Sequence, residues 1–101
     1  MKYVYPAIFR KDKEQPNCYT VEFPDIQLAG IYGYGLYEAI TDAEESLNKI
    51  LCDYEDNYEM TNKINPPTPI EKVVAEPDEY STSAFVTLIK ADTDVYRKAQ
   101  K

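Results

Sequence analysis

A chain of 101 residues with 44% hydrophobic residues is one globular domain with room for one modest core. Its formal charge of −7 repels a phosphate backbone and suits a basic protein partner. It contains no histidine, which removes Ser-His-Asp and Cys-His catalysis, histidine-ligated metals and a histidine pH switch together.

Residues 3–10 alternate, with Tyr3, Tyr5, Ala7 and Phe9 on one face and Val4, Pro6 and Ile8 on the other. Both faces are apolar, so this predicts a strand covered on both sides. Pro6 cannot donate to a ladder, so one neighbouring strand must be missing or displaced there. A charged loop, 10–17, leads to a second strand over 18–23, which Pro24-Asp25 stops. A third short strand is expected over about 29–34. Gly30, Gly33 and Gly35 cluster here, which predicts close backbone approach and a sharp turn into a helix. No Lys or Arg lies nearby, so a phosphate-binding glycine loop is excluded.

Leu36 to Glu59 is the clearest helix. Leu36, Ala39, Ile40, Ala43, Leu47, Ile50, Leu51, Tyr54 and Tyr58 recur at three-and-four spacing and form one apolar face. Glu38, Asp42, Glu44, Glu45, Asp53, Glu55, Asp56 and Glu59 make the other face acidic. Acids in the second half oppose the helix dipole, so the last turn should fray. Residues 60–83 form a polar, proline-rich connection in which Thr68-Pro69-Ile70-Glu71 is a capping-box pattern, predicting a short helix over 69–74. Residues 84–89 are dense in β-formers and predict a strand buried on both faces. The polar tail from 93 to 101 could begin a helix but has no apolar face to hold one. Domain organisation is therefore 1–92 as an α+β domain and 93–101 as a tail.

The order βββα(short α)β makes a two-layer α+β fold. Three strands form an antiparallel meander, and the fourth returns beside the first, parallel to it, by a right-handed crossover. The result is a four-stranded mixed sheet of order 3-2-1-4 with the long helix on one face.

Three motifs occur in sequence: Tyr5-Pro6-Ala7-Ile8, Phe23-Pro24-Asp25-Ile26, and Gly33-Tyr34-Gly35-Leu36-Tyr37-Glu38-Ala39. In this wording and order the chain resembles HicB-type antitoxins. The resemblance implies a partly degraded ribonuclease-H-like fold and, as partner, a HicA-type toxin: a small basic ribonuclease that cleaves mRNA with a catalytic histidine. Complete members of that family continue into a DNA-binding module, and 93–101 would be its lead-in. The chain stops at Lys101, as a part separated from that module or as a naturally short relative.

A two-metal nuclease of the ribonuclease H class needs a carboxylate on the first strand, and residues 3–9 have none. The expectation is therefore no catalytic residue, no metal and no cofactor. Cys18 and Cys52 read as small buried residues. No apolar run approaches the ~20 residues of a membrane helix, and the start lacks a signal-peptide core, so a cytoplasmic location is expected.

Two functions stay open: occlusion of a toxin, or an orphan module binding a protein or small ligand through a tyrosine surface. For the first, Glu38, Asp42 and Glu45 share one exposed helix stripe with Lys49, and Tyr32 and Tyr34 supply an apolar anchor. The same stripe also reads as an ordinary solvated helix face. An apolar fourth strand at a sheet edge further predicts a homodimer.

Overall fold

The computed structural model describes residues 1–57 and 64–100. The predicted helix positions Tyr58 and Glu59, and the start of the connection at 60–63, lie outside them. Strand β1 (Lys2–Asp12) is the spine, pairing on one side with β2 (Cys18–Phe23) and on the other with β4 (Ser81–Asp92). Strand β3 (Leu28–Tyr34) pairs with β2, giving sheet order β3-β2-β1-β4. Pairing of β1 with β2 starts at Ile8, so Pro6 has a partner, Leu88, only on the β4 side. The neighbour that Pro6 cannot bond is absent, as the sequence requires.

The sheet is antiparallel throughout, which corrects the expected parallel return of β4. The reason lies in the connection. Helix α1 (Leu36–Asp56) runs back toward the start of β1, and a strand formed there would indeed be parallel to β1. Residues 64–80 instead travel the length of the sheet first. Asn65 Nδ2 donates to the Asp25 carbonyl, and Thr68 donates through both N and Oγ1 to the Asp25 carboxylate. Farther on, Arg10 Nε donates to the Glu76 carbonyl at 2.9 Å and Lys13 N to the Tyr80 carbonyl at 2.9 Å. The chain therefore enters β4 beside the far end of β1. Thr68 spends its hydroxyl on Asp25 instead of capping, and the expected short helix shrinks to a 3-10 turn at Ile70–Lys72.

Residues opposite one another in an antiparallel pair share a face. Phe9 opposes Val21 and Phe85, Val21 opposes Ile31, and Tyr5 opposes Ile89. These residues meet the buried stripe of α1: Ala39, Ala43, Leu47 and Leu51. Gly33 sits on the same face with no side chain between it and α1. A Cβ there would lie 2.7 Å from Ala39 N and 2.9 Å from Ala39 Cα. Close backbone approach is thus what Gly33 provides. Gly35, at the helix N-cap, has φ +86, a conformation that L side chains rarely adopt.

Two expectations about exposure fail. Strand β4 is a half-exposed edge, with Phe85 at 40% and Leu88 at 50%, because no element covers its outer side. Glu55 does not join the solvated acidic face. Its carboxylate accepts from Tyr3 Oη at 2.6 Å, Thr93 Oγ1 at 3.0 Å and Arg97 Nη2 at 3.2 Å. Those last two residues belong to a second helix, α2 (Thr93–Ala99), where the sequence reads a tail. Polar contacts hold α2 in place of the missing apolar face. Arg97 also donates to the Cys52 carbonyl at 3.2 Å and pairs with Asp56 at 3.0 Å. It supplies the C-terminal cation that the last turn of α1 lacks.

Burial pushes the Glu55 carboxyl up, but hydrogen bonds from Tyr3, Arg97 and Thr93 outweigh it and hold the group below the ordinary glutamate value. A carboxyl lowered by folding contributes stability that is complete above its unfolded value of about 4.3 and is lost as pH falls through its folded value. Acidification below about pH 4 should therefore release α2. Amide exchange at Val95 and Arg97 checks this. Protection there should fail at a higher pH than protection in β1. Loss of both together would contradict it.

A candidate partner-binding surface at the third strand and long helix

The stripe on α1 forms as spaced: Glu38 and Glu45 are exposed and Asp42 is half-buried, with Lys49 exposed beyond them. Among the described residues, neither an ion pair nor a side-chain hydrogen bond engages Glu38, Asp42 or Glu45. Three carboxylates spaced by one turn are thus left free to meet a cation.

Tyr32 and Tyr34 are each 58% exposed and touch edge-to-face, with ring centroids 6.4 Å apart. Because Gly33 faces α1, its neighbours Tyr32 and Tyr34 point to the opposite face of the sheet. The structure therefore does not gather the five residues into one patch. The carboxylates lie on the helix side of the sheet and the tyrosines on its other face, at β3, the edge strand among the described residues. A partner reaching both would have to straddle that edge.

Sequence reasoning passed over Tyr37. It is the most exposed large hydrophobic among the described residues, at 88%, in the first turn of α1 beside Glu38. Its position off the three-and-four apolar stripe was the available signal. Leu36, the residue before it, is 44% exposed.

The first two motifs carrying the family resemblance serve the fold. Tyr5 Oη donates to the Asn65 carbonyl, and Ala7 is fully buried. Phe23 and Ile26 enter the core while Asp25 clamps the connection. Strand β1 extends to Asp12, two residues past the expected end, but that carboxylate accepts from Glu14 N and Gln15 N in the hairpin turn. Burial raises the pKa of both Cys18 and Cys52, which keeps them as thiols. No helix among the described residues is long and apolar enough to cross a membrane.

In fold the chain is similar to a chain of a toxin–antitoxin complex from Streptococcus pneumoniae. The TM-score is 0.68 at 22% identity, covering 95% of this chain and 73% of that one. No protein-family model and no curated sequence matches. The likeness is therefore one of fold.

Proposed function

We propose that this chain is an antitoxin-like interaction domain of a type II toxin–antitoxin system, which binds and occludes a small basic HicA-type, mRNA-cleaving toxin. The observation that carries the reading is the fold shared, over nearly the whole chain, with a component of a toxin–antitoxin complex. The free carboxylates of α1 supply the chemistry. They stand in for RNA phosphates on the cationic surface of the toxin, so the domain competes directly with substrate. Glu45, midway along the stripe, approaches the toxin's catalytic histidine, pairs with the imidazolium and holds it out of acid–base work. Tyr32 and Tyr34 anchor the partner from the other side of the β3 edge. The domain acts without catalysis of its own, and residues 1–101 leave RNA–DNA hybrid intact in Mg²⁺ or Mn²⁺. They also bind no DNA, since no basic stripe is present.

Charge reversal tests the site. Glu45→Lys should weaken toxin binding at least tenfold, or about 1.4 kcal/mol, while Glu71→Lys, the same charge reversal at an exposed position outside α1, should leave it near wild type. Glu55 cannot serve as that control because its loss would damage the fold. Equal affinities for Glu45→Lys and Glu71→Lys, measured by calorimetric titration, would make the stripe an ordinary solvated face.

A further inference from the structure

Strand β4 is an edge whose protection is confined to its ends, with a register shift near Ser81 and a lysine, Lys90. Natural edges are blunted by proline, lysine, bulges or short length. Over Ser81 to Ile89 this strand carries no proline and no charge, and its pairing with β1 stays regular from Ser83 to Asp92. The other edge is different. Strand β3 is shorter, includes Gly30 at φ +81, and its ladder with β2 shifts between Val21 and Phe23. It is a poor template for another strand.

Beside β4, two clefts of about 500 and 300 Å³ meet at Glu44 and Lys90, the larger between α1 and α2 and the smaller between α1 and the β1–β4 pair. Exposed Ile40, Leu88 and Val95 border them. Phe85, stacked on Phe9 at 5.2 Å between centroids, still shows 40% of its surface on the helix side of the same edge.

We propose that β4 pairs antiparallel with β4 of a second copy about a two-fold axis near Phe85, so that two sheets become one. Charge selects this occupant. The chain carries −7, yet the run from Ser81 to Ile89 carries no charge, so self-pairing brings no like charges face to face along it. The cleft beside this edge balances Lys2 and Lys90 against Glu44 and Asp92, so it offers a basic partner no net attraction, and such a partner is drawn to the α1 carboxylates instead. Phe85 is the midpoint of the uncharged run. Centring there places Phe85 opposite its own mate, an aromatic cross-strand pair, and Thr82 opposite Leu88. Self-association at β4 also leaves the β3 edge free.

Sedimentation equilibrium of the whole chain at tens of micromolar tests this. Wild type should run at twice the 11.6 kDa chain mass. Leu88→Lys and Thr82→Lys should each weaken the dimer at least tenfold. Combining Thr82→Glu with Leu88→Lys should restore it, because the new charges would face each other across the axis. Thr82 is exposed, so its variant carries the test should Leu88→Lys fold poorly. A single-chain mass for wild type would overturn the proposal. So would a dimer that both lysine variants leave intact while circular dichroism shows a native fold. If the double variant fails to recover, the Phe85-centred pairing is wrong. A monomeric wild type that loses toxin binding on Leu88→Lys would assign the edge to the toxin and refute self-pairing.

Discussion

Glu55→Ala should lower stability by about 3–5 kcal/mol and free α2 from the body of the domain. The carboxylate is a hub: it receives Tyr3 from β1, Thr93 and Arg97 from α2, and belongs to α1 itself. Removing it leaves the Tyr3 phenol, the fully buried Thr93 hydroxyl and the Arg97 guanidinium without their shared acceptor. For a domain of this size, each kcal/mol is worth about 4–8 °C, so the melting midpoint should fall by at least ~12 °C. Glu55→Gln retains an acceptor and loses the charge, and should fall between. Thermal melts followed by circular dichroism measure both, and trypsin should cut faster after Arg97 and Lys98 once α2 is released. A wild-type midpoint for Glu55→Ala would show that the three donors find water at no cost.

Gly33→Ala should destabilise by about 1–3 kcal/mol, and Gly33→Val by more. The added Cβ would meet backbone, at 2.7 Å from Ala39 N and 3.0 Å from the Glu38 carbonyl carbon, so no side-chain rotation can relieve it. Either α1 lifts from β3 or the ladder with β2 bends. Lifting α1 also moves Glu38 and Asp42, so partner affinity should fall together with stability. Gly30→Ala makes the comparison informative. It meets nothing within 4 Å and costs only the strain of φ +81, about 1–2 kcal/mol. Urea midpoints at constant m-value separate the two. A smaller loss for Gly33→Ala than for Gly30→Ala would mean that β3 and α1 part easily.

Local chemistry made most of the fold legible. The period-two runs gave β1 and β2, the three-and-four spacing gave α1, and Pro6 announced its missing neighbour. The order 3-2-1 followed because consecutive strands pair, and β4 took the remaining edge of β1. The direction of β4 did not follow, since it depends on where residues 64–80 cross the sheet, and that is fixed by contacts of Asp25 with Asn65 and Thr68 across forty or more positions. The same blindness to distant contacts hid α2. Its residues look unfit to hold a helix until Arg97 meets the carbonyls and carboxylates at the end of α1. Glu55 was misplaced for that reason too. In the candidate site, helical spacing placed Glu38, Asp42 and Glu45 correctly on one stripe. It could not show that Tyr32 and Tyr34 face the other way, because that depends on Gly33 being the residue pressed against α1.

The most direct test of the account is co-expression of residues 1–101 with a small basic HicA-type ribonuclease from the neighbouring reading frame. Toxin neutralisation predicts that growth arrest is relieved and that the two proteins copurify as one species. Continued arrest, with both proteins soluble and running apart, would contradict it.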